Sequence, residues 1–230
     1  GRQIHLQTDN KLVFVGSSFI TSNPRKQNSF SLRMSLSGVL DNSYGTAGVT
    51  YISLPYDSFA YRSCLLSDNK LLIGSYQNTN TLTIKLDENG QYDNSFGMNG
   101  IANDIAGTYN TSMTLQPNGK ILKAGKKNNH FSISRYNTNG SIDTTFGLNG
   151  ELNTIIDYSS YINDIVLQPD GKIVVAGNSF NGVADVITLA RFTNNDLGVL
   201  DFNIVKNSLL IYPNPIESDA TFEFTLNESA

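Results

Sequence analysis

Apolar and polar residues alternate one by one in Phe30-Ser31-Leu32-Arg33-Met34-Ser35-Leu36 and again in Phe131-Ser132-Ile133-Ser134-Arg135-Tyr136. A period of two predicts strands with one buried face. No window of eleven residues carries the 3.6-residue period of an amphipathic helix. Turn sequences punctuate the strands. Around the third turn, Ser112-Met113-Thr114-Leu115 reads as a short strand, Pro117-Asn118-Gly119 as a tight turn, and Lys120 to Gly125 as a second strand. Lys126 to His130 reads as a polar loop, Phe131 to Tyr136 as a third strand, and Asn137-Thr138-Asn139-Gly140 as a hairpin turn. Ser141-Ile142-Asp143 then leads into Phe146-Gly147, expected to be a short fourth strand or its cap.

This unit recurs. Gln168-Pro169-Asp170-Gly171-Lys172 and Gln116-Pro117-Asn118-Gly119-Lys120 are close copies, and Gln7-Thr8-Asp9-Asn10-Lys11 and Leu66-Ser67-Asp68-Asn69-Lys70 are weaker ones. The turn lysines at 11, 70, 120 and 172 are 59, 50 and 52 residues apart. A second anchor follows in three copies: Asp41-Asn42-Ser43-Tyr44-Gly45, Asp93-Asn94-Ser95-Phe96-Gly97 and Asp143-Thr144-Thr145-Phe146-Gly147. Arg33, Lys85 and Arg135 each precede that aspartate by eight residues. The long first step reads as an insertion within Tyr51 to Tyr61, and Lys70-Leu71-Leu72-Ile73-Gly74 reads as one residue short.

Three to four antiparallel strands per unit of about 50 residues match a β-propeller blade. One blade cannot bury both faces of its sheet, so blades must stack. A β-solenoid fits less well, because its coils are shorter and lack repeated tight hairpins. The expected fold is all-β: an array of about four propeller-like blades forming an arc of a larger propeller. The blades are expected at residues 1–50, 51–102, 103–152 and 153–202, with a linker and the first strands of a β-sandwich-like domain over 203–230. The first copy lacks part of what precedes the turn elsewhere, so the chain is expected to be an internal piece of a longer protein.

Charged residues make up 16% of the chain and the net charge is −4. There is no basic stripe for nucleic acid and no polybasic segment for an anionic membrane. The apolar runs are strand-sized, below the roughly 20 residues of a membrane-spanning helix. A single cysteine, Cys64, forms no internal disulfide and no CxxC pair; flanked by Leu65 and Leu66, it is expected to pack as a small hydrophobe.

The repeated Asp41, Asp93 and Asp143 could line a channel, where carboxylates from several blades could bind Ca²⁺. The simpler expectation is that each accepts hydrogen bonds from turn amides and pairs with the basic residue eight positions earlier. Asp87 to Asp93 has the look of a calcium loop without its bidentate glutamate, and is expected to be a hairpin turn. His5 and His130 are expected to be surface loop residues, and Ser63-Cys64 has no base nearby in sequence. No hydrolase, zinc-protease or phosphate-loop motif occurs, so no catalytic, cofactor or metal residue is assigned. Tyr51, Tyr56, Tyr61, Tyr76, Tyr109, Tyr158 and Tyr161 fall near strand starts and loops, where they can pack between blades or stack on sugar rings.

The unit Gln-Pro-Asp-Gly-Lys-Ile-Val-Val-Ala-Gly, followed by Arg-Phe or Arg-Tyr and then Asn-Gly-Ser-Ile-Asp-Thr-Thr-Phe-Gly-Leu-Asn-Gly, resembles the delta-60 repeat, a family of bacterial repeats. Residues 112–192 carry the resemblance most fully, then 1–50, then 62–100. It implies a propeller-like fold and no catalytic residues. After the repeats, Ser208-Leu209-Leu210-Ile211-Tyr212-Pro213-Asn214-Pro215 with Thr221-Phe222-Glu223-Phe224 resembles the opening of a type IX secretion sorting domain of Bacteroidetes, truncated at Ala230. That resemblance implies a sorting motif at Tyr212, Pro213, Asn214 and Pro215, the type IX secretion machinery as a partner, and a secreted or outer-cell-surface location.

The expected function is a binding or scaffold module without catalysis, whose partner is a glycan or a surface protein. The alternatives are the propeller part of a secreted polysaccharide- or peptide-degrading enzyme, and a structural spacer of a large adhesin. A channel lined by different polar residues from each blade, with a strongly shifted carboxylate pKa, would favour the enzyme. A loop face with exposed tyrosines would favour glycan binding.

Overall fold

The computed structural model describes residues 3–20, 26–78, 80–105 and 107–192, and the backbone of short strands at 202–205, 210–212 and 221–223. The described residues are all strand and turn. Four four-stranded antiparallel sheets follow one another along the chain. The first contains β1 (Gln3–Leu6), β2 (Lys11–Ile20), β3 (Lys26–Ser35) and β4 (Val49–Tyr51). The second contains β5 (Ser58–Leu65), β6 (Leu71–Gln77), β7 (Asn80–Leu86) and β8 (Ile101–Asn103). The third contains β9 (Thr108–Leu115), β10 (Ile121–Lys127), β11 (His130–Tyr136) and β12 (Glu151–Thr154). The fourth contains β13 (Ser159–Leu167), β14 (Ile173–Phe180), β15 (Asp185–Phe192) and β16 (Phe202–Val205). In every sheet the strands pair in chain order, and the first strands of successive sheets pack against one another. The result is an arc of four propeller blades. A separate two-stranded pair joins β17 (Leu210–Tyr212) and β18 (Thr221–Glu223). Tyr212, expected to open a sorting motif, ends β17, and Pro213, Asn214 and Pro215 lie outside the described residues.

The strand pattern departs from the sequence expectation in two ways. In β3 the polar Ser29, Ser31 and Arg33 are buried, while Phe30, Leu32 and Met34 are only half-buried. From Phe131 to Tyr136 every residue of β11 is buried, although the sequence alternates. The two middle sheets are covered on both faces, so their polar residues, such as Ser132 and Ser134, are buried as well. Three apolar layers result. Val13, Val15, Leu71 and Ile73 fill the first intersheet layer. Leu72, Phe96, Met113 and Ile121 fill the second, and Leu122, Ile133, Ile173 and Val175 the third. Leu71 and Leu72 are adjacent yet face different layers, as the strand period requires. Strand β14 at the end of the arc keeps the one-sided alternation.

Four local readings are corrected. Lys126 to His130 is a two-residue hairpin, because Asn128 and Asn129 both take the positive φ (50° and 62°) of a type I′ turn that matches strand twist. The fourth strand of the third sheet is β12, after Phe146-Gly147. The long first step arises mainly in the β2–β3 hairpin, whose strands have 10 residues each against 7 in the second and third sheets. Gly74 is not a deletion: it pairs with Arg62 as Ala124 pairs with Ser112, and a Cβ there would lie 2.5 Å from the Tyr61 ring.

The repeated anchors build one device. The basic residue of the third strand reaches the aspartate: Arg33 Nε donates to Asp41 Oδ2 at 2.8 Å, Arg135 Nε to Asp143 Oδ2 at 2.6 Å, and Lys85 pairs with Asp93 at 3.3 Å. The turn lysine closes on the same carboxylate, with Lys11, Lys70 and Lys120 at 2.8, 3.1 and 2.8 Å. The other carboxylate oxygen accepts from the amide and hydroxyl of Ser43, Ser95 or Thr145. The expected amide-capping role of these aspartates is therefore observed, and the turn lysine is an addition. Beneath each cation lies the anchor aromatic: Tyr44 at 4.9 Å from Arg33, Phe96 at 5.8 Å from Lys85, and Phe146 at 4.7 Å from Arg135.

The same aromatic–glycine step joins one sheet to the next. Gly45 N donates to Asn89 O and Gly97 N to Asn139 O, both at 2.8 Å. Gly90 and Gly140 end these turns at φ +77° and +85°, where a Cβ would lie 2.6 Å from the Tyr44 ring and 2.8 Å from the Phe96 ring. Glycine is needed there twice over, for conformation and for space. The equivalent Gly38, on the open face of the first sheet, has nothing within 4 Å of its Cβ position.

Two outcomes follow from this device. Phe96→Ala removes the aromatic that carries Lys85 and covers Gly140, and is expected to cost about 3–5 kcal/mol in urea unfolding, whereas exposed Met98→Ala stays within about 0.5 kcal/mol. The three aspartates are held well below the ordinary carboxylate range. For Asp41 the chief cause is Lys11; for Asp93 it is Ser95; for Asp143 burial pushes up, but Lys120, Thr145 and Arg135 outweigh it. A depressed folded pKa contributes stability that is present above the ordinary value of about 4 and lost as pH falls below it. Unfolding midpoints measured from pH 7 to pH 2 should therefore fall through the acid range, and Asp143→Asn should lower the midpoint at pH 7 while flattening that fall.

Candidate functional site

The first strand of each sheet lies innermost, and three of the four carry a β-bulge at one shared position. The pairing shifts between Ala60 and Arg62, Asn110 and Ser112, and Ile162 and Asp164, leaving Tyr61, Thr111 and Asn163 as the bulged residues. The bulge carries the inner strand over the end of the second strand. A Cβ on Gly125 or Gly177 would lie 1.9 or 2.1 Å from the carbonyl oxygen of Tyr109 or Tyr161, which accounts for the repeated Ala-Gly. Bulges redirect side chains, and here they do so at the axial edge of the arc.

Equivalent positions on the inner strands hold Gln3, Arg62, Ser112 and Asp164. These differ from sheet to sheet and interact across sheets. Arg62 pairs with Asp164 two sheets away, and Ser112 Oγ donates to Asp164 Oδ1 at 2.6 Å. Partial burial pushes the Asp164 carboxyl up, but Ser112, the Ile165 amide and Arg62 together hold it below its ordinary value. It is therefore a charged positioning group rather than a proton donor near neutral pH.

Gln3 turns toward Ser63, whose hydroxyl donates to Gln3 Oε1 at 3.0 Å while His5 Nε2 lies at 2.8 Å. The fold thus supplies the base that Ser63 lacks in sequence, from 58 residues away. The Ser63 hydroxyl is within reach of both Gln3 Oε1 and His5 Nε2, and the role of His5 follows its tautomer. His5 lies on β1 and burial lowers its pKa; His130 opens β11 and its Nδ1 is buried. Neither is the loop residue expected from sequence. Cys64 packs against the second apolar layer, and burial pushes its thiol up to about 11. Asp87 accepts from the amides of Asn89 and Gln91, which makes that stretch the expected hairpin turn.

One step above the bulge, a second set of equivalent positions holds Phe59, Tyr109 and Tyr161. They are 38%, 48% and 43% exposed, one on each of three consecutive inner strands. Tyr109 is held from two sides. The Tyr76 ring stacks on it at 4.5 Å with an interplanar angle of 20°, and Lys126 Nζ stands 6.0 Å from its ring centroid. Exposed Tyr56 and Tyr158 lie on the β4–β5 and β12–β13 connections at the same end of the sheets. The tyrosines grouped in sequence therefore divide: Tyr61 and Tyr76 pack between the second and third sheets, while Tyr109, Tyr158 and Tyr161 face solvent.

Below this row lies a polar cluster that sequence reasoning missed. Lys123 occupies the position held by Phe14, Ile73 and Val175 in the other sheets, of which Ile73 and Val175 are buried core residues, and its own side chain is fully buried. Both oxygens of Asp104, whose side chain is 1% exposed, lie 2.6 Å from Lys123 Nζ. Asn110 Nδ2 donates to Asp104 Oδ2 at 3.0 Å and to Thr81 Oγ1 at 3.1 Å. The Tyr136 and Tyr61 rings flank the ammonium at 5.6 and 6.0 Å, and Tyr136 Oη accepts from the Ile105 amide. The legible signal was a lysine where every other copy is apolar; its partner, in the connection after β8, has no sequence mark.

Among the described residues no helix is long and apolar enough to cross a membrane. No curated protein matches the chain. Residues 116–146 and 168–206, in the third and fourth sheets, match a family model described as a domain of unknown function (DUF5122) beta-propeller, so these segments are similar to a propeller family as their fold is.

Proposed function

We propose that this chain is a non-catalytic carbohydrate-binding module of a secreted or cell-surface protein. The observation that carries the reading is the row Phe59, Tyr109 and Tyr161, one half-exposed ring on the inner strand of each of three consecutive sheets. Half-exposed aromatics at a repeated spacing suit a repeating ligand, because each ring offers a flat apolar face at little conformational cost. Hydrogen-bonding groups flank the row: Lys126 beside Tyr109, and Asn178 paired in register with Tyr161. Arg62 and Asp164 lie one step deeper and supply polar edges for sugar hydroxyls. Binding rather than catalysis is favoured because Asp164 is held charged and so is not a proton donor near neutral pH. Export through the type IX machinery to the outer cell surface is part of the proposal and rests on the Tyr212-Pro213-Asn214-Pro215 sequence.

The test is retention on a panel of immobilised neutral and acidic polysaccharides, with the eluate assayed for released reducing sugar. Retention of at least one glycan without release is expected. Tyr109→Ala and Tyr161→Ala should each weaken binding about tenfold or more, and Leu148→Ser at the opposite end should leave it unchanged. Release of sugar, or equal retention of all variants, would overturn the assignment.

A further inference from the structure

We propose that Lys123 and Asn110 become joined by an intramolecular amide bond, formed by the protein itself with Asp104 as the proton carrier. The three groups come from three consecutive elements. Asn110 is on β9, Lys123 on β10, and Asp104 on the connection after β8. Lys123 and Gly125 lie on one face of β10, and Asn110 stands opposite Gly125, so the lysine stem runs past a residue without a side chain toward the asparagine. A single carboxylate oxygen, Asp104 Oδ2, then contacts both the lysine nitrogen at 2.6 Å and the asparagine side-chain nitrogen at 3.0 Å. The attacking atom and the leaving atom are bridged by the group that can move a proton between them.

The surroundings favour the reaction. Lys123 is fully buried, the side chain of Asp104 is 1% exposed and Asn110 is buried, with the rings of Tyr61 and Tyr136 beside the ammonium. A buried ion pair is costly to keep charged, and burial pushes the Lys123 pKa down against the pull of Asp104. The proton passes from Nζ to Asp104, and the neutral amine attacks Asn110 Cγ. The Nζ–Cγ bond forms, a second proton leaves Nζ through the same carboxylate, and the Cγ–Nδ2 bond breaks. Two protons have left Nζ and two have arrived on the departing nitrogen, which leaves as ammonium. Asp104 returns to its carboxylate, and no oxidant or other co-reactant is needed. Asn110 is the acceptor rather than Asp104, because attack on Asp104 would leave no carboxylate in contact with the lysine to carry the protons.

The set occurs once among the four repeats. Position 110 is Ala60 and Ile162 in the flanking sheets, and position 123 is Ile73 and Val175. The bond would tie the inner strand to its neighbour directly below Tyr109, the middle ring of the exposed row, and would hold that ring at a fixed height.

The experiment is intact-mass spectrometry of the purified 230-residue chain under denaturing conditions. The expected mass lies about 17 Da, one ammonia, below the sequence mass, and proteolysis should yield a branched peptide joining Lys123 to Asn110. Lys123→Arg and Asp104→Asn should each show the full mass of their own sequences. A wild-type chain at full sequence mass, with Lys123 open to an amine reagent in urea, would overturn the proposal. So would a loss of about 17 Da that maps to an Asn-Gly succinimide. A loss of about 18 Da linking Lys123 to Asp104 would overturn the choice of acceptor.

Discussion

Everything in this architecture depends on how one sheet is fastened to the next. The fastening is electrostatic on one side and steric on the other. Within a sheet, the aspartate gathers the turn lysine, the third-strand cation and a turn amide, and the cation lies over a buried aromatic. Across the interface, the amide after that aromatic donates to the turn of the following sheet. The glycine of that turn lies against the ring, leaving no room for a Cβ. Arg33 extends the contact by donating to Glu88 O across the first interface. The charges are largely buried, so they stabilise only as a complete set; a cation left without its aspartate would be a net cost. This explains why the aspartate, the cation, the aromatic and the glycine recur together in three copies.

A repeated fastening makes the sheets equivalent, and function enters where equivalence fails. The failures are concentrated along the inner strands and in the second interface. The shared bulge redirects Arg62, Ser112 and Asp164, and Gln3 holds the equivalent place on β1; each of the four is a different residue. Phe59, Tyr109 and Tyr161 keep their aromatic character and remain half exposed. The Lys123–Asp104–Asn110 cluster replaces apolar packing at the same interface and sits directly beneath Tyr109. The exposed row and the buried cluster therefore share β9 and β10, so the chemistry of one bears on the rigidity of the other.

Much of the fold was legible because strand pairing within a hairpin is local. The existence of strand β3, the Asp-Gly and Asn-Gly turns, and the eight-residue spacing from cation to aspartate each span few residues, and turn chemistry restricts them tightly. Errors arose where a neighbouring sheet decides the outcome. Alternation in β11 predicted one buried face, because sequence cannot show that a second sheet covers the other. Gly74 looked like a deletion because its reason, the Tyr61 ring, lies on another strand. His5 looked like a loop residue because Ser63, its partner, is 58 positions away.

The sequence by itself determined the repeat, its period, the antiparallel hairpins and the need for sheets to stack, because these follow from local turn geometry and from apolar faces that must leave water. Only the tertiary structure decided which residues meet. It brought Asp104 to Lys123, Arg62 to Asp164 and the three inner-strand rings into one row. Those meetings depend on the bulge and on the stacking of sheets about an axis, and neither leaves a periodic mark along the chain.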